Sequence, residues 1–143
     1  MLLPITLSFA AALVIVNFWL AIRVGQVRMK EKLMVGDGGN PLLTARMRAQ
    51  ANFTEYVPFI LILTGLIEAG GGNSRGLWAA AIITVVARIL HPLGMDRPAP
   101  NALRNGGFLG TVLVLLALAI WAAFLAAGAP PSVELGISGA GRA

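Results

Sequence analysis

Arg48, Asn52, Glu55 and Tyr56 stand at i, i+4, i+7 and i+8. That spacing stacks four polar side chains on one face of a helix. The surrounding run is otherwise apolar: from Ala49 to Ile67 the only charge is Glu55. Glu55 lies about 10 Å along the helix axis from Arg48, at about 1.5 Å per residue. If Arg48 marks a membrane interface, Glu55 sits at hydrocarbon depth. An ionised group there costs roughly 2.5–3.5 kcal/mol, more if isolated. Glu55 is therefore expected to face the bundle, a partner subunit or a wet cavity, paired with a cation. Arg28, Arg48 and Arg104 are the candidates. The structural alternative is a buried Glu–Arg pair that only fixes helix register, but a stripe of Arg, Asn, Glu and Tyr exceeds what register requires. Pro58 removes a backbone hydrogen bond, and a kink there is expected to widen a cleft beside Glu55 and Tyr56.

The rest of the inventory excludes more than it offers. The chain has no cysteine, so it carries no disulfide framework, no thiolate metal site and no Cys nucleophile. One histidine and six scattered acids give no metal-ligand cluster. The single His91 is followed by Pro92, and no Gly-x-Ser-x-Gly elbow is present, which leaves serine-hydrolase chemistry unsupported. Gly36-Asp37-Gly38-Gly39-Asn40-Pro41 is turn chemistry. It lacks the Lys-Ser/Thr ending of a phosphate loop.

The stripe needs a scaffold, and the composition says which kind. Of 143 residues, 57% are hydrophobic and 12% charged, half the charge of an ordinary soluble domain. At roughly 20 residues per crossing, four spans fit. The first 22 residues are uncharged. They read as a retained first helix, since a cleaved signal peptide would want a basic start. A polar stretch follows from Arg23 to Thr44. The second helix is expected from about Thr44 to Ala69, ended by Gly70-Gly71-Gly72. The third runs from Gly76 to about Leu90, with Arg88 in its last turn, placed there by the helix dipole or by snorkelling. His91-Pro92 and Asp96-Arg97 fall in the next loop, the latter as a solvated pair. The fourth is uncharged from Asn105 to Val133, with Gly106 and Gly110 as a small-xxx-small contact pair. Trp19, Trp78 and Trp121 are expected at interfaces or in packing. No repeat and no heptad seam is legible. The expectation is an all-α, four-helix transmembrane bundle over residues 1–128, with a flexible tail over 129–143.

Charge orients the bundle. Arg23, Arg28, Lys30 and Lys32 fill the first loop, with Arg46 and Arg48 just after it. Arg88, Arg97 and Arg104 flank the third, and the middle loop holds only Arg75. The positive-inside rule then puts the first and third loops in the cytoplasm and both termini outside. The net charge of +5 is thus membrane topology. A nucleic-acid partner is excluded, because few aromatics are interleaved with the basic residues.

The segment Arg48-Ala-Gln-Ala-Asn52-Phe-Thr-Glu55-Tyr56-Val-Pro58 resembles the second-helix signature of the MAPEG superfamily, the membrane-associated proteins of eicosanoid and glutathione metabolism. Its members include microsomal glutathione transferases, leukotriene-C synthase and microsomal prostaglandin E synthase. The resemblance covers about residues 1–128. Arg28-Met29 followed by Gly36-Asp37-Gly38-Gly39 resembles a bacterial inner-membrane subgroup. The resemblance implies a homotrimer of four-helix protomers, with glutathione at each subunit interface. Arg48, Asn52, Glu55 and Tyr56 would then hold the tripeptide, Arg48 on a carboxylate and Glu55 on the ammonium. The first-loop arginine of the family matches Arg28 best, and Arg23 second. Arg104, in Leu103-Arg104-Asn105-Gly106, matches the arginine that activates the thiol; a nearby guanidinium favours thiolate. Its alternative is a juxtamembrane topology charge. Tyrosines that contact glutathione in several eukaryotic members are replaced here by His91 and Met95. His91 could stand in for one contact; its alternative is a capping or interface residue.

Three functions follow. The first is a glutathione-dependent transferase or peroxidase for lipophilic electrophiles entering from the lipid bilayer. The second is a non-catalytic glutathione- or lipid-binding scaffold of the same fold. The third is a small proton-coupled exporter using Glu55, which the nearby Arg48 disfavours by holding Glu55 ionised. The orientation is directly testable, because a cysteine-free chain accepts single reporter cysteines. A membrane-impermeant maleimide outside intact cells is expected to label Arg75→Cys and leave Val35→Cys unlabelled. The reverse pattern would invert the topology.

Overall fold

The computed structural model describes residues 2–128; the expected tail over 129–143 lies outside the described residues. Four helices follow one another: α1 (Pro4–Glu31), α2 (Pro41–Ala69), α3 (Ser74–Met95) and α4 (Ala102–Gly128). The protein is an all-α four-helix bundle. α1, α3 and α4 are each long and apolar enough to cross a bilayer. α2 is just as long, at 29 residues, but Gln50, Asn52 and Glu55 dilute its apolar run. α2 and α3 form the central pair, each touching every other helix, while α1 and α4 do not touch.

The helices overrun the expected limits. α1 continues through Arg23 to Glu31, because the basic residues that follow its apolar part are good helix formers. It stops at Lys32, in the left-handed region at φ 53°. α2 begins at Pro41, a residue suited to the first helical turn, after Asn40. α3 runs through His91 and Pro92 to Met95. α2 likewise stays helical through Pro58.

Each helix start is satisfied by a side chain. Asn40 Oδ1 accepts from the Leu43 amide at 3.0 Å. Asn73 Oδ1 accepts from the Arg75 amide at 2.9 Å, and Asn101 Oδ1 from the Leu103 amide at 3.0 Å. Asparagine is among the preferred N-caps. α1 lacks a local cap and is served from α2 instead. Glu68 accepts from the Ile5 amide at 2.9 Å, the Thr6 amide at 2.8 Å and the Thr6 hydroxyl at 2.6 Å. A carboxylate at that end also complements the helix dipole. In the loop before α2, the Thr44 hydroxyl and then the Gly39 amide hold Asp37 below the usual carboxylate range.

The core runs along the bundle axis. Ile5, Phe9, Leu13, Val16 and Leu20 of α1 meet Phe53, Val57, Ile60 and Ile67 of α2, Leu77 and Ala81 of α3, and Val114 and Leu118 of α4. The α1 set recurs at i+3 and i+4, a seam the sequence does not display. Leu7, Ile15, Phe18 and Ile22 on its outer face are exposed and equally apolar, as lipid-facing positions are. Buried Thr64, Thr84 and Thr111 bond back to carbonyls four residues earlier, at 2.7, 2.8 and 2.8 Å, so none of these three hydroxyls is left unpaired.

α3 and α4 approach through glycine, and of the expected pair only Gly110 faces α3, where a Cβ would stand 3.5 Å from that of Ala87. A Cβ at Gly106 would meet nothing within 4 Å, whereas one at Gly107 would stand 2.6 Å from the His91 nitrogen and 2.7 Å from the Ala87 carbonyl oxygen. A Cβ at Gly94 would fall on the Arg104 backbone. Gly107→Ala is expected to cost about 2 kcal/mol by overpacking, read as a lower unfolding temperature in detergent. Gly106→Ala should leave that temperature unchanged or raise it.

Candidate functional site at the α2, α3 and α4 junction

One cavity of about 270 Å³ opens where these three helices meet, lined by Arg48, Asn52, His91, Met95, Arg104, Asn105 and Phe108. The α2 residues Arg48 and Asn52 are one turn apart. His91 and Met95 hold the same relation on α3, as do Arg104 and Phe108 on α4. Each helix thus presents a polar group and a neighbour at i+4, and α4 adds Asn105. No acid lines the cavity. Arg48 and Arg104 are exposed, and neither makes an ion pair among the described residues. Two free guanidiniums around an acid-free cavity form a site for an anion.

A buried guanidinium stands behind the cavity wall. Arg88 is only 1% exposed. It donates to Asn52 Oδ1 at 2.7 Å and to the Gly107 carbonyl at 3.1 Å, while its Nε has no partner. This corrects the expectation of a last-turn, snorkelling arginine: α3 continues two turns past Arg88, and the side chain points inward. Asn52 therefore has its oxygen committed to Arg88, leaving its amide N–H groups for the cavity. His91, also buried, lies 3.1 Å through Nδ1 from the Arg104 carbonyl. A carbonyl only accepts, so Nδ1 donates.

The other expected site residues lie elsewhere. Tyr56 sets its ring edge-to-face against Phe108, with centroids 5.9 Å apart, and does not line the cavity. Glu55 is exposed on the surface of the protomer and makes no ion pair among the described residues. Within one protomer the expectation that it faces the bundle or a cation is thus not met. Arg28 is separate again, donating to the Met34 carbonyl at 3.0 Å and to the Met47 sulfur at 3.5 Å. Arg23, the second candidate for that role, is buried and pairs with Asp96 at 2.5 Å, below a 4.7 Å cation–π contact with Trp19. Asp96 also takes Arg46 at 3.1 Å. The expected Asp96–Arg97 pair does not form, because Asp96 ends α3 facing α1 and α2.

Sequence reasoning missed Arg88, Asn105 and Phe108. The cost of a membrane-depth charge, applied to Glu55, applies equally to Arg88 and would have singled it out. Phe108 stands four residues after Arg104, so helix periodicity would have found it. Nothing in the sequence marks Asn105.

The MAPEG family model matches residues 6–124. The chain belongs to the MAPEG family. Inner membrane protein YecN of Escherichia coli K12 is 27% identical over 84 residues, which is 59% of this chain. The chain spans 63% of that relative's length. The protein of the same name in E. coli O6:H1 gives the same values. With three helices long and apolar enough to cross a membrane, this MAPEG chain is a multi-pass membrane protein. The Asp96 cluster supplies a test of its packing. Asp96→Ala leaves Arg23 buried without its anion and is expected to cost about 3 kcal/mol, measured by thermal unfolding. Arg97→Ala should be neutral.

Proposed function

We propose that the protein is a glutathione-dependent membrane transferase or peroxidase acting on lipophilic electrophiles. The observation that carries this is the acid-free cavity flanked by Arg48 and Arg104, neither of which is in an ion pair among the described residues. Glutathione has two carboxylates, one of which Arg48 can take by bidentate pairing. The free N–H groups of Asn52 and Asn105 add neutral donors. Bound there, the tripeptide would supply the thiol that a cysteine-free chain lacks. Arg104 adds a permanent positive charge, which favours the anionic form of an acidic group beside it. In a water-poor cleft that stabilisation is stronger than in bulk water.

The exposed Glu55 supports a homotrimer. A carboxylate at hydrocarbon depth cannot rest against lipid at low cost, and a neighbouring subunit is the natural cover. Assembled that way, Glu55 takes the ammonium. Arg28 then comes from the adjacent subunit, since it stands apart within one protomer.

The absence of a tyrosine hydroxyl from the cavity lining keeps a second reading in play: a binding protein without turnover. Calorimetry and a conjugation assay in detergent separate the two. Arg48→Ala is expected to weaken glutathione binding roughly 10- to 100-fold, as loss of a charged hydrogen-bond pair does. Arg104→Ala should bind glutathione and lose conjugation of a model electrophile. Unchanged turnover in Arg104→Ala would remove that residue from the mechanism. Binding by the unaltered protein without turnover on a broad panel would favour the scaffold.

A further inference from the structure

The geometry points to His91 as the proton acceptor of the cavity, taking the thiol proton onto Nε2 while Arg104 faces the resulting anion. This rests on the reading of the cavity as a glutathione site.

The inference starts from the ring's orientation. Nδ1 lies 3.1 Å from the Arg104 carbonyl, and a carbonyl has no proton to give. Nδ1 therefore carries the hydrogen, and in the neutral ring Nε2 keeps its lone pair. Nε2 has no partner among the described residues, yet is absent from the sealed, unpaired atoms, which are Arg23 Nη1, Arg46 Nε and Arg88 Nε. With His91 lining the cavity, that lone pair is open to it. The ring is held from two further sides. Phe108 lies 6.4 Å away, centroid to centroid. The closeness of Gly107 brings α4 onto the His91 backbone.

The other groups around the cavity cannot do this work. Arg48 and Arg104 are permanently protonated. Asn52, Asn105, Met95 and Phe108 do not accept a proton. The charged and titratable groups near His91 are Arg88 on its own helix, Arg104 on α4, Arg48 and Tyr56 on α2, and Arg23 of α1, which reaches the adjacent Pro92 carbonyl and, with Arg46, holds Asp96 at the end of α3. That carboxylate does not line the cavity and is taken up by its two arginines. A base at this place belongs to the imidazole alone.

The step balances simply. The S–H bond breaks, its proton bonds to Nε2, and sulfur keeps the electron pair. The Nδ1–H bond to the Arg104 carbonyl persists and supports the imidazolium. In addition to a carbon–carbon double bond conjugated with a carbonyl, the sulfur pair forms the C–S bond. The proton then passes from Nε2 to the adjacent carbon, restoring the neutral ring.

His91 is the only histidine in the chain, so its ring signals in NMR are unambiguous. Glutathione binding to the unaltered trimer or protomer in detergent at neutral pH is expected to protonate the His91 ring and raise the ultraviolet thiolate band. S-methylglutathione has no thiol proton, and should bind without protonating the ring. His91→Asn keeps an amide N–H for the Arg104 carbonyl and removes the base. It is expected to bind both ligands with affinities near those of the unaltered protein. It should lose the thiolate band at neutral pH and show kcat reduced roughly 100-fold, the usual scale for a lost general base. If glutathione binds and the His91 ring stays neutral, or if His91→Asn keeps the thiolate band, the assignment to His91 is overturned and the cavity reading stands. If neither ligand binds the unaltered protein, the cavity reading fails and takes this one with it.

Discussion

A cation with no anion partner among the described residues is held inside this bundle, and the arrangement of three helices follows from how it is hydrogen-bonded. Arg88 is fully buried and reaches Asn52 on α2 and Gly107 on α4. An ion in a low-dielectric interior must find hydrogen bonds or destabilise the fold. Both acceptors are fixed by the backbone or by a short side chain, so the guanidinium sets the spacing of α2, α3 and α4 together. The Gly107 carbonyl serves Arg88 and Thr111 at once, and the missing Cβ lets α4 come close enough to offer it. His91 sits one turn beyond Arg88, and Arg104 one turn before Gly107. The cavity is thus a by-product of one buried charge.

Cationic groups gather on both sides of this cavity while acids are kept away. Asp96, the acid nearest in sequence to His91, is drawn off to the opposite side by Arg23 and Arg46. Glu68 is at the far end of α2, occupied by the start of α1. Asp37 is tied into its own turn by Thr44 and Gly39. The acids are few, and among the described residues each is committed to architecture or exposed. What remains facing the cavity is positive charge, and that is the electrostatic basis for an anionic ligand.

Much of this was legible in the sequence. The number of helices followed from the apolar runs and their Gly- and Pro-bearing breaks. The polar face of α2 followed from spacing alone, and Arg48 and Asn52 do share the cavity with His91 and Arg104. The parts not legible have physical reasons. Arg23 to Glu31 looked like a loop because charge is a poor guide to where a helix stops when its end protrudes from the membrane. The core seam of α1 was invisible because a lipid-facing surface is as apolar as a buried one, so no hydrophobic contrast marks the inner face. Gly107 could not be told from Gly106 without the phase of α4 against α3. The partners of Asp96 lie some 50 and 70 residues away, beyond any local pattern.

The cap on α1 has a consequence for biogenesis. The amides of Ile5 and Thr6 open α1, and their acceptor, Glu68, is synthesised more than 60 residues later. Until α2 is complete, the first turn of α1 has no side-chain cap among the described residues. The polar link therefore closes only when the α1–α2 hairpin does. It joins the two helices at the end away from the basic first loop, so that the pair is fastened at both extremities, by the loop at one and by Glu68 at the other. Membrane insertion of this chain is in that sense a two-helix event, with the final residues of the second helix deciding when the first is finished.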